Sequence, residues 1–383
     1  MSRIYLDHNA TTPVRPEVLE AMMPYLTEKI GNPSSLHGWG QEARAGMEGA
    51  RATLAGALRC DPEEVHFTSG GTEADNWAIK GVAAACKRRG RRIVTTAIEH
   101  YAVLHTCQHL AERGYEVVYV PVDKWGIVDP EKVAQVVNDE TALISVMHAN
   151  NETGCIQPVE EIGSLAWERG IPFHVDAVQS FGKLPVKVDE LNADLVSVSA
   201  HKINGPKGIG ALYIREGMEI EALAHGGGHE WKRRAGTENV AGIVGMGKAV
   251  ELRMAEMERM EPEMRQLRDR LEEGLLGALE DVQVNGHPTL RLANTSNLSF
   301  RGIESEEIVL GLDLQGVAAA SGSACASGET EPSHVLRGMG VEPRLATGAV
   351  RFSLGWGNSE EQVDCVLQVL PKIIRRLREL SVF

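Results

Sequence analysis

Two short apolar stretches of the chain each end in side chains that can do chemistry. Residues 171–175 lead directly to Asp176, and residues 195–200 lead to His201 and Lys202. Both stretches are predicted to be strands. Ligand sites in an open α/β sheet lie beyond the carboxyl ends of the strands, so neighbouring strands would place Asp176 and Lys202 in one crevice.

A carboxylate and a lysine that meet in a crevice have two interpretations. They can form a plain ion pair, because structural ion pairs also occur in clefts. They can also bind pyridoxal 5'-phosphate, whose aldehyde reacts with the lysine amine and whose protonated ring nitrogen pairs with the carboxylate. These two residues leave both interpretations open.

The stretch before them alternates predicted strands and helices. Strands are predicted at 65–68, 93–96, 117–120 and 143–147, with helices at 73–87, 101–113 and 130–137 between them. Strands separated by helices of this length are typical of βαβ crossovers and a mostly parallel sheet. His100 and Asn151 follow two of the strands, where a histidine can either cap a helix or face a ligand.

Residues 69–72, with the sequence Ser-Gly-Gly-Thr, join a predicted strand to a predicted helix. Such a junction makes an anion site, because unpaired N–H groups and the positive end of the helix dipole face the ligand. The segment matches neither the dinucleotide fingerprint nor the P-loop. Its other interpretation is a tight turn followed by a helix cap.

Composition limits the classes of function. The 383 residues exceed what one core usually supports, and the net charge of −14 argues against nucleic-acid binding. No apolar run approaches a membrane span and no hydrophobic signal segment opens the chain, so we expect a cytoplasmic protein without a membrane partner. None of the six cysteines forms a Cys-x-x-Cys pair, so no metal site is predicted.

Cys325 lies in a segment of small and polar residues, 320–330. Without bulky neighbours to bury it, its thiol is a candidate nucleophile, since the exposed thiolate is the reactive form. The alternative is a linker that happens to contain a cysteine.

A long helical pattern over 239–279, with a break predicted near Pro262, marks the expected domain boundary. We predict a large cofactor-binding domain at 15–255. A small domain is predicted from 1–14 together with 256–383, and it carries a mobile cysteine loop at about 320–331.

Together these residues resemble the cysteine desulfurases of the NifS/IscS type, and the resemblance covers essentially the whole chain. The ordered motifs that carry it are residues 6–13 (LDHNATTP), 67–73 (FTSGGTE), 148–152 (HANNE), 174–177 (HVDA), 199–202 (SAHK) and 321–325 (SGSAC) with 331–334 (EPSH). The resemblance implies an α/β protein of the fold-type-I pyridoxal-phosphate class. Such a protein has a large domain, with a mostly parallel mixed sheet flanked by helices, and a smaller α+β domain.

The same resemblance implies roles around the cofactor. Lys202 would hold pyridoxal 5'-phosphate covalently and later remove the substrate Cα proton. Asp176 would keep the ring nitrogen protonated, and His100 would stack on the ring and help proton transfer. Asn151 and Gln179 would contact the phenolic oxygen.

Further roles concern the phosphate and the substrate. The phosphate would be held by Gly71, Thr72, Ser199 and His201. Thr237 is expected to reach the phosphate of the other subunit of a homodimer. Arg351 would clamp the substrate carboxylate, with Asn32 assisting.

The reaction implied by the resemblance converts L-cysteine to L-alanine and leaves a persulfide on Cys325. That sulfur would pass to an acceptor such as an iron–sulfur scaffold, with Cys325 in contact with a cluster only in transit, or toward tRNA thiolation. A selenocysteine lyase, another C–S lyase and a non-catalytic assembly scaffold are the alternatives. Trp356 departs from the arginine usual in the family, so we expect it near the carboxylate clamp, where it would alter pocket size or substrate preference.

Overall fold

The structure is a computed structural model that describes residues 3–86, 90–321 and 332–380. Its strands are β1 (Ile4–Tyr5), β2 (Val65–Thr68), β3 (Arg92–Thr96), β4 (Glu116–Val120), β5 (Thr141–Met147), β6 (Phe173–Asp176), β7 (Leu195–Ser199), β8 (Gly210–Ile214), β9 (Val282–Asn285), β10 (Thr295–Phe300), β11 (Val317–Ala318), β12 (Ala320–Ser321) and β13 (Ala349–Ser353). Its helices are α1 (Pro16–Thr27), α2 (Gly38–Leu58), α3 (Gly71–Ala85), α4 (Tyr101–Ala111), α5 (Pro130–Val136), α6 (Val159–Glu168), α7 (Val240–Ala278), α8 (Ser305–Asp313), α9 (His334–Gly338), α10 (Pro343–Ala346) and α11 (Glu360–Leu380).

The central sheet has its strands in the order β2-β8-β7-β6-β5-β3-β4. The neighbours from β7 through β6, β5 and β3 to β4 pair in parallel, while β8 runs antiparallel to both β7 and β2. Parallel neighbours bring their carboxyl ends to the same edge of the sheet. The ends of β3, β5, β6 and β7 therefore meet there, which confirms the predicted mostly parallel sheet.

Helices cover both faces of this sheet, and every residue of β2, β5, β6, β7 and β8 is buried. Successive residues of one strand enter different cores, as the period of two requires. Leu195 packs with Trp77 of α3 in one hydrophobic cluster, whereas Val196 belongs to the cluster that also contains Ile243 of α7. Strands buried on both faces read as nearly continuous apolar runs, which is the pattern of 195–200.

A second sheet, in the order β12-β13-β10-β9, encloses a separate hydrophobic cluster with α8 and α11. Ile4 and Leu6 from the beginning of the chain lie in this second cluster, and β1 pairs with β11. The exact domain bounds stay a prediction.

Helix α7 runs without interruption from Val240 to Ala278 through Pro262, so the predicted break there is wrong. Proline removes one backbone hydrogen bond, but both halves of the helix are held by packing. Met246 and Val250 lie in the large core, and Met264 and Leu271 lie in the second cluster. Within the described ranges, no helix is long and apolar enough to cross a membrane.

Candidate active site

A cavity of about 590 Å³ opens at the carboxyl ends of the parallel strands. Most of the predicted site residues line it, namely Gly71, Thr72, His100, Asn151, Asp176, Gln179, Ser199, His201, Lys202 and Arg351. They come from strand ends, from the beginning of α3 and from β13 of the second sheet. The fold therefore assembles in one place residues that are up to 280 positions apart in the chain.

Three predicted residues are not placed at this cavity. Asn32 is exposed, and its Oδ1 accepts a hydrogen bond of 2.9 Å from the Ser34 amide. Thr237 lines a neighbouring cavity of about 250 Å³, which shares Gly208 with the first. Cys325 lies outside the described residues.

Lys202 ends a short 3-10 turn after β7, and the loop that follows β1 lies across it. Its Nζ donates to the carbonyl oxygen of Ala10 at 2.9 Å and also to that of Asn9. Thr12 secures the same turn, because both its amide and its hydroxyl donate to the His201 carbonyl, at 2.9 and 2.8 Å. The polar loop near the beginning of the chain thus positions the amine toward the cavity.

Asp176 is the last residue of β6, and its Oδ1 accepts a 2.9 Å hydrogen bond from the Val178 amide. Burial raises the pKa of Asp176 to about 6, although the Val178 amide and the charge of Lys202 act in the opposite direction. Asp75 of α3 also lines the cavity, and burial together with the charge of Asp176 raises its pKa well above the usual range. A carboxylate in such surroundings gains from a cationic partner in the cavity.

The first residues of α3, Gly71 and Thr72, form an open recess at the cavity, which we call the Gly71 cradle. Only a glycine at position 71 leaves this space free of side-chain atoms. A Cβ added at Gly71 would lie 2.6 Å from Cγ2 of Val178. Ser199 faces the same cavity, and its buried hydroxyl has no hydrogen-bond partner among the residues that the structure describes. Free helix N–H groups beside an unpartnered hydroxyl fit an anionic group such as a phosphate.

His100 precedes α4 and caps it, since its Nδ1 accepts a 3.1 Å hydrogen bond from the Ala102 amide. Burial lowers its pKa to about 4, and the charge of Lys202 adds to that effect. The ring is therefore neutral at pH 7, and the accepting Nδ1 assigns the proton to Nε2. His100 therefore caps α4 and also lines the cavity, so the two interpretations of this residue do not exclude each other.

Arg351 projects from β13 into the cavity and is buried. Its Nη2 donates to Asp7 at 2.7 Å and its Nη1 to the Asn151 carbonyl at 3.1 Å. Its buried Nε has no partner within the described part of the chain. This leaves guanidinium N–H groups for an incoming carboxylate. Trp356 is not among the lining residues, and its ring instead lies against the Arg15 guanidinium, 5.1 Å from the ring centroid.

The cavity is also lined by residues to which the sequence assigned no individual role, namely Asn9, Thr11, Asp75 and Lys207. Asp7 and Lys183 do not line it but contact the lining residues Arg351 and Gln179. Asn9 is fully enclosed, and its carbonyl accepts from Gln179 as well as from Lys202. The density of polar residues in the loop around Asn9 was the feature of the sequence that could have identified it as a site residue. The signal for Asp75 was its position one helical turn after Gly71.

Residues 4–366 match the aminotransferase class-V family. The chain belongs to this family. Curated relatives include a protein named cysteine desulfurase IscS from Methanosarcina thermophila, 53% identical over 99% of this chain and 93% of the relative. Another of that name, from Clostridium botulinum, is 50% identical over 99% of this chain and 96% of the relative. The resemblance to the NifS/IscS type is thereby confirmed.

Solved structures agree with the family assignment. A NifS-like protein superposes with a TM-score of 0.93 at 42% identity, covering 98% of this chain and all of the other. A NifS-like protein from Rickettsia africae gives 0.88 at 30% identity, with 98% of this chain and 100% of the other covered. The expected fold class is confirmed at this level of similarity.

Proposed function

We propose that the protein is a cysteine desulfurase that uses pyridoxal 5'-phosphate to convert L-cysteine to L-alanine. The observation that carries the proposal is that Lys202, Asp176 and Arg351 open on one cavity beside the Gly71 cradle. An ion pair alone would need neither the cradle nor the buried arginine. The names of the full-length relatives support the same reaction.

The residues of the cavity fit the cofactor. Gly71, Thr72, Ser199 and His201 would hold its phosphate, with Lys202 as the covalent attachment point. The unpartnered Ser199 hydroxyl and the space above Gly71 support this placement. When bound, the cofactor withdraws electrons from the substrate Cα and so makes its proton acidic.

The side chains of the chain supply the remaining steps. Asp176 would stay ionised opposite a protonated ring nitrogen, because a cation at this buried position would lower its pKa. Gln179 and Asn151 would contact the phenolic oxygen, and His100 would stack on the ring and assist proton transfer. Lys202, whose amine faces the cavity, would take the Cα proton of the substrate.

Substrate orientation and sulfur removal complete the proposal. Arg351 binds the substrate carboxylate, and the exposed position of Asn32 outside the cavity gives no support to the assistance expected from it. The Cys325 thiolate then forms a bond to the substrate sulfur, the C–S bond breaks, and its electron pair stays on carbon, which takes up a proton. The products are alanine and a persulfide on Cys325, a reversible form of the thiol.

The wider setting is proposed on the same basis. We infer a cytoplasmic homodimer in which Thr237 reaches the phosphate of the other subunit, and an acceptor protein such as an iron–sulfur scaffold. Thr237 lines the neighbouring cavity and not the one that contains Lys202, which supports a role toward another subunit.

The test is to incubate the cofactor-loaded protein with L-cysteine, measure alanine and locate added sulfur by mass spectrometry. We expect sulfur on Cys325, and losses of alanine formation of more than about a thousandfold in Lys202→Ala and Cys325→Ser. Lys248→Ala and Cys365→Ser are the matched controls, since neither residue lines the cavity. Undiminished alanine formation by Cys325→Ser would contradict the persulfide route.

A further inference from the structure

Lys183 lies behind the cavity wall and has unusual partners for a lysine. Its Nζ donates to Oδ1 of Asn9 and to Oε1 of Gln179, each at 3.1 Å. In the part of the chain that the structure describes, neither of its acceptors is a carboxylate. Lysines inside proteins are normally paired with acids or extend their amine to water. An apolar side chain would fill the same space without the cost of enclosing an amine, so the lysine needs an explanation beyond packing.

The contacts of Lys183 fix the orientation of the Gln179 amide. Gln179 Nε2 donates to the Asn9 carbonyl at 2.8 Å, while its Oε1 accepts from Lys183. A flipped amide would set oxygen against the Asn9 carbonyl and N–H groups against the Lys183 amine. Both contacts would be repulsive, so one orientation is strongly favoured.

Lys183 is itself held by a network that spans both sheets. Asn9 Oδ1, which accepts from Lys183, also accepts from Asn294 Nδ2 at 3.1 Å, and Asn9 Nδ2 donates to Thr295 Oγ1 at 2.9 Å. The Asn9 amide therefore cannot turn to follow Lys183. The network keeps the amine directed at Gln179.

An amide nitrogen carries two N–H groups, and the Asn9 carbonyl uses one of those of Gln179. The second remains for the cavity, which Gln179 lines and Lys183 does not. We propose that Lys183 is a positioning residue that makes Gln179 present an N–H donor, not a carbonyl oxygen, to the phenolic oxygen of the cofactor. The inference rests on the proposed function and deepens it.

Burial lowers the pKa of Lys183 well below its usual range, and the charges of Arg253, Lys202 and Arg351 act in the same direction. The amine donates to both oxygens whether or not it is protonated. The neutral amine also carries a lone pair that can accept from a flipped amide, so Lys183 orients Gln179 most strongly when it is charged. A test must separate this role from a simple effect of charge on the cofactor.

The experiment is a pH titration of the visible absorbance band of the cofactor-loaded protein. We compare wild type, Lys183→Met, Gln179→Leu and the double variant, with Lys187→Met as the control because Lys187 pairs with Glu190 outside the cavity. A donor at the phenolic oxygen stabilises its anion, so we expect Lys183→Met to raise the titration midpoint by about one pH unit. The double variant should equal Gln179→Leu, and Lys187→Met should equal wild type.

Lys183→Gln removes the charge but keeps an N–H donor, so its midpoint should stay nearer to wild type than that of Lys183→Met. An unchanged midpoint in Lys183→Met would overturn the inference. So would a Lys183→Met shift that persists in full without Gln179, because it would report charge and not amide orientation. If the cofactor-loaded protein shows no visible absorbance band, the proposed function is overturned as well. If the band forms normally but its pH midpoint is the same in wild type and Lys183→Met, only this inference is overturned.

Discussion

The carboxylate of Asp7 accepts a 2.7 Å hydrogen bond from Nη2 of Arg351 at the wall of the cavity. The pair joins the loop after β1 to β13, and Asp7 also bridges to Ser353 on the same strand. Because Asp7 occupies only one edge of the guanidinium, it fixes the orientation of Arg351 without neutralising all its donors. If Arg351 binds the substrate carboxylate as proposed, that carboxylate meets an arginine that is already aligned.

Arg351→Lys tests this alignment. Lysine keeps the charge but loses the planar pair of donors, so we expect KM for cysteine to rise about 10–100-fold with a smaller change in kcat. Arg291→Lys is the matched control, because Arg291 forms a buried pair with Glu272 at 2.6 Å outside the cavity. Steady-state kinetics that show equal KM changes in both variants would refute a specific role for Arg351.

His100→Asn separates the two roles of His100. Asparagine is a good N-cap and replaces Nδ1 as the acceptor for the Ala102 amide, so α4 should keep its stability. The imidazole at the cavity is lost, and we expect kcat to fall about 100-fold. His37→Asn is the control, since His37 caps α2 through a 3.2 Å hydrogen bond from Gly40 and lies outside the cavity. Similar activity of the two variants would assign His100 to capping alone.

The residues at strand ends could be predicted from the sequence, whereas the network behind them could not. Asp176 and Lys202 each follow a short apolar run, and parallel neighbours bring such ends together. Asn9 hydrogen-bonds Thr295, which is 286 residues away in the chain, and no local pattern announces such a contact. The predicted break at Pro262 was wrong for the same reason, since contacts distant in the chain decided it. Packing of α7 against two cores outweighs the local free-energy cost of one proline.

Gly71→Ala tests the proposed phosphate cradle. The added methyl group would meet Cγ2 of Val178 at 2.6 Å, so either Val178 moves or the cradle narrows. We expect the Kd for pyridoxal 5'-phosphate to rise at least about tenfold, measured by absorbance titration of the cofactor-free protein. Gly56→Ala in α2 is the control, because an added Cβ there meets open space. Unchanged cofactor affinity in Gly71→Ala would place the phosphate elsewhere.

Glu99 should make the stability of the fold fall as pH rises. Burial raises its pKa from 4.5 to about 8, even though Thr96 Oγ1 and the Met147 amide donate to its Oε1 at 2.6 and 3.1 Å. Between those two pH values the native carboxyl keeps a proton that the unfolded chain has lost, so native stability decreases across the window. Glu99→Gln cannot ionise, and we expect its Tm to exceed that of wild type by about 2–4 °C near pH 8 but to match it near pH 5. The exposed Glu112→Gln should follow wild type at both pH values, and thermal unfolding of Glu99→Gln that parallels wild type across the range would show that Glu99 does not hold this proton.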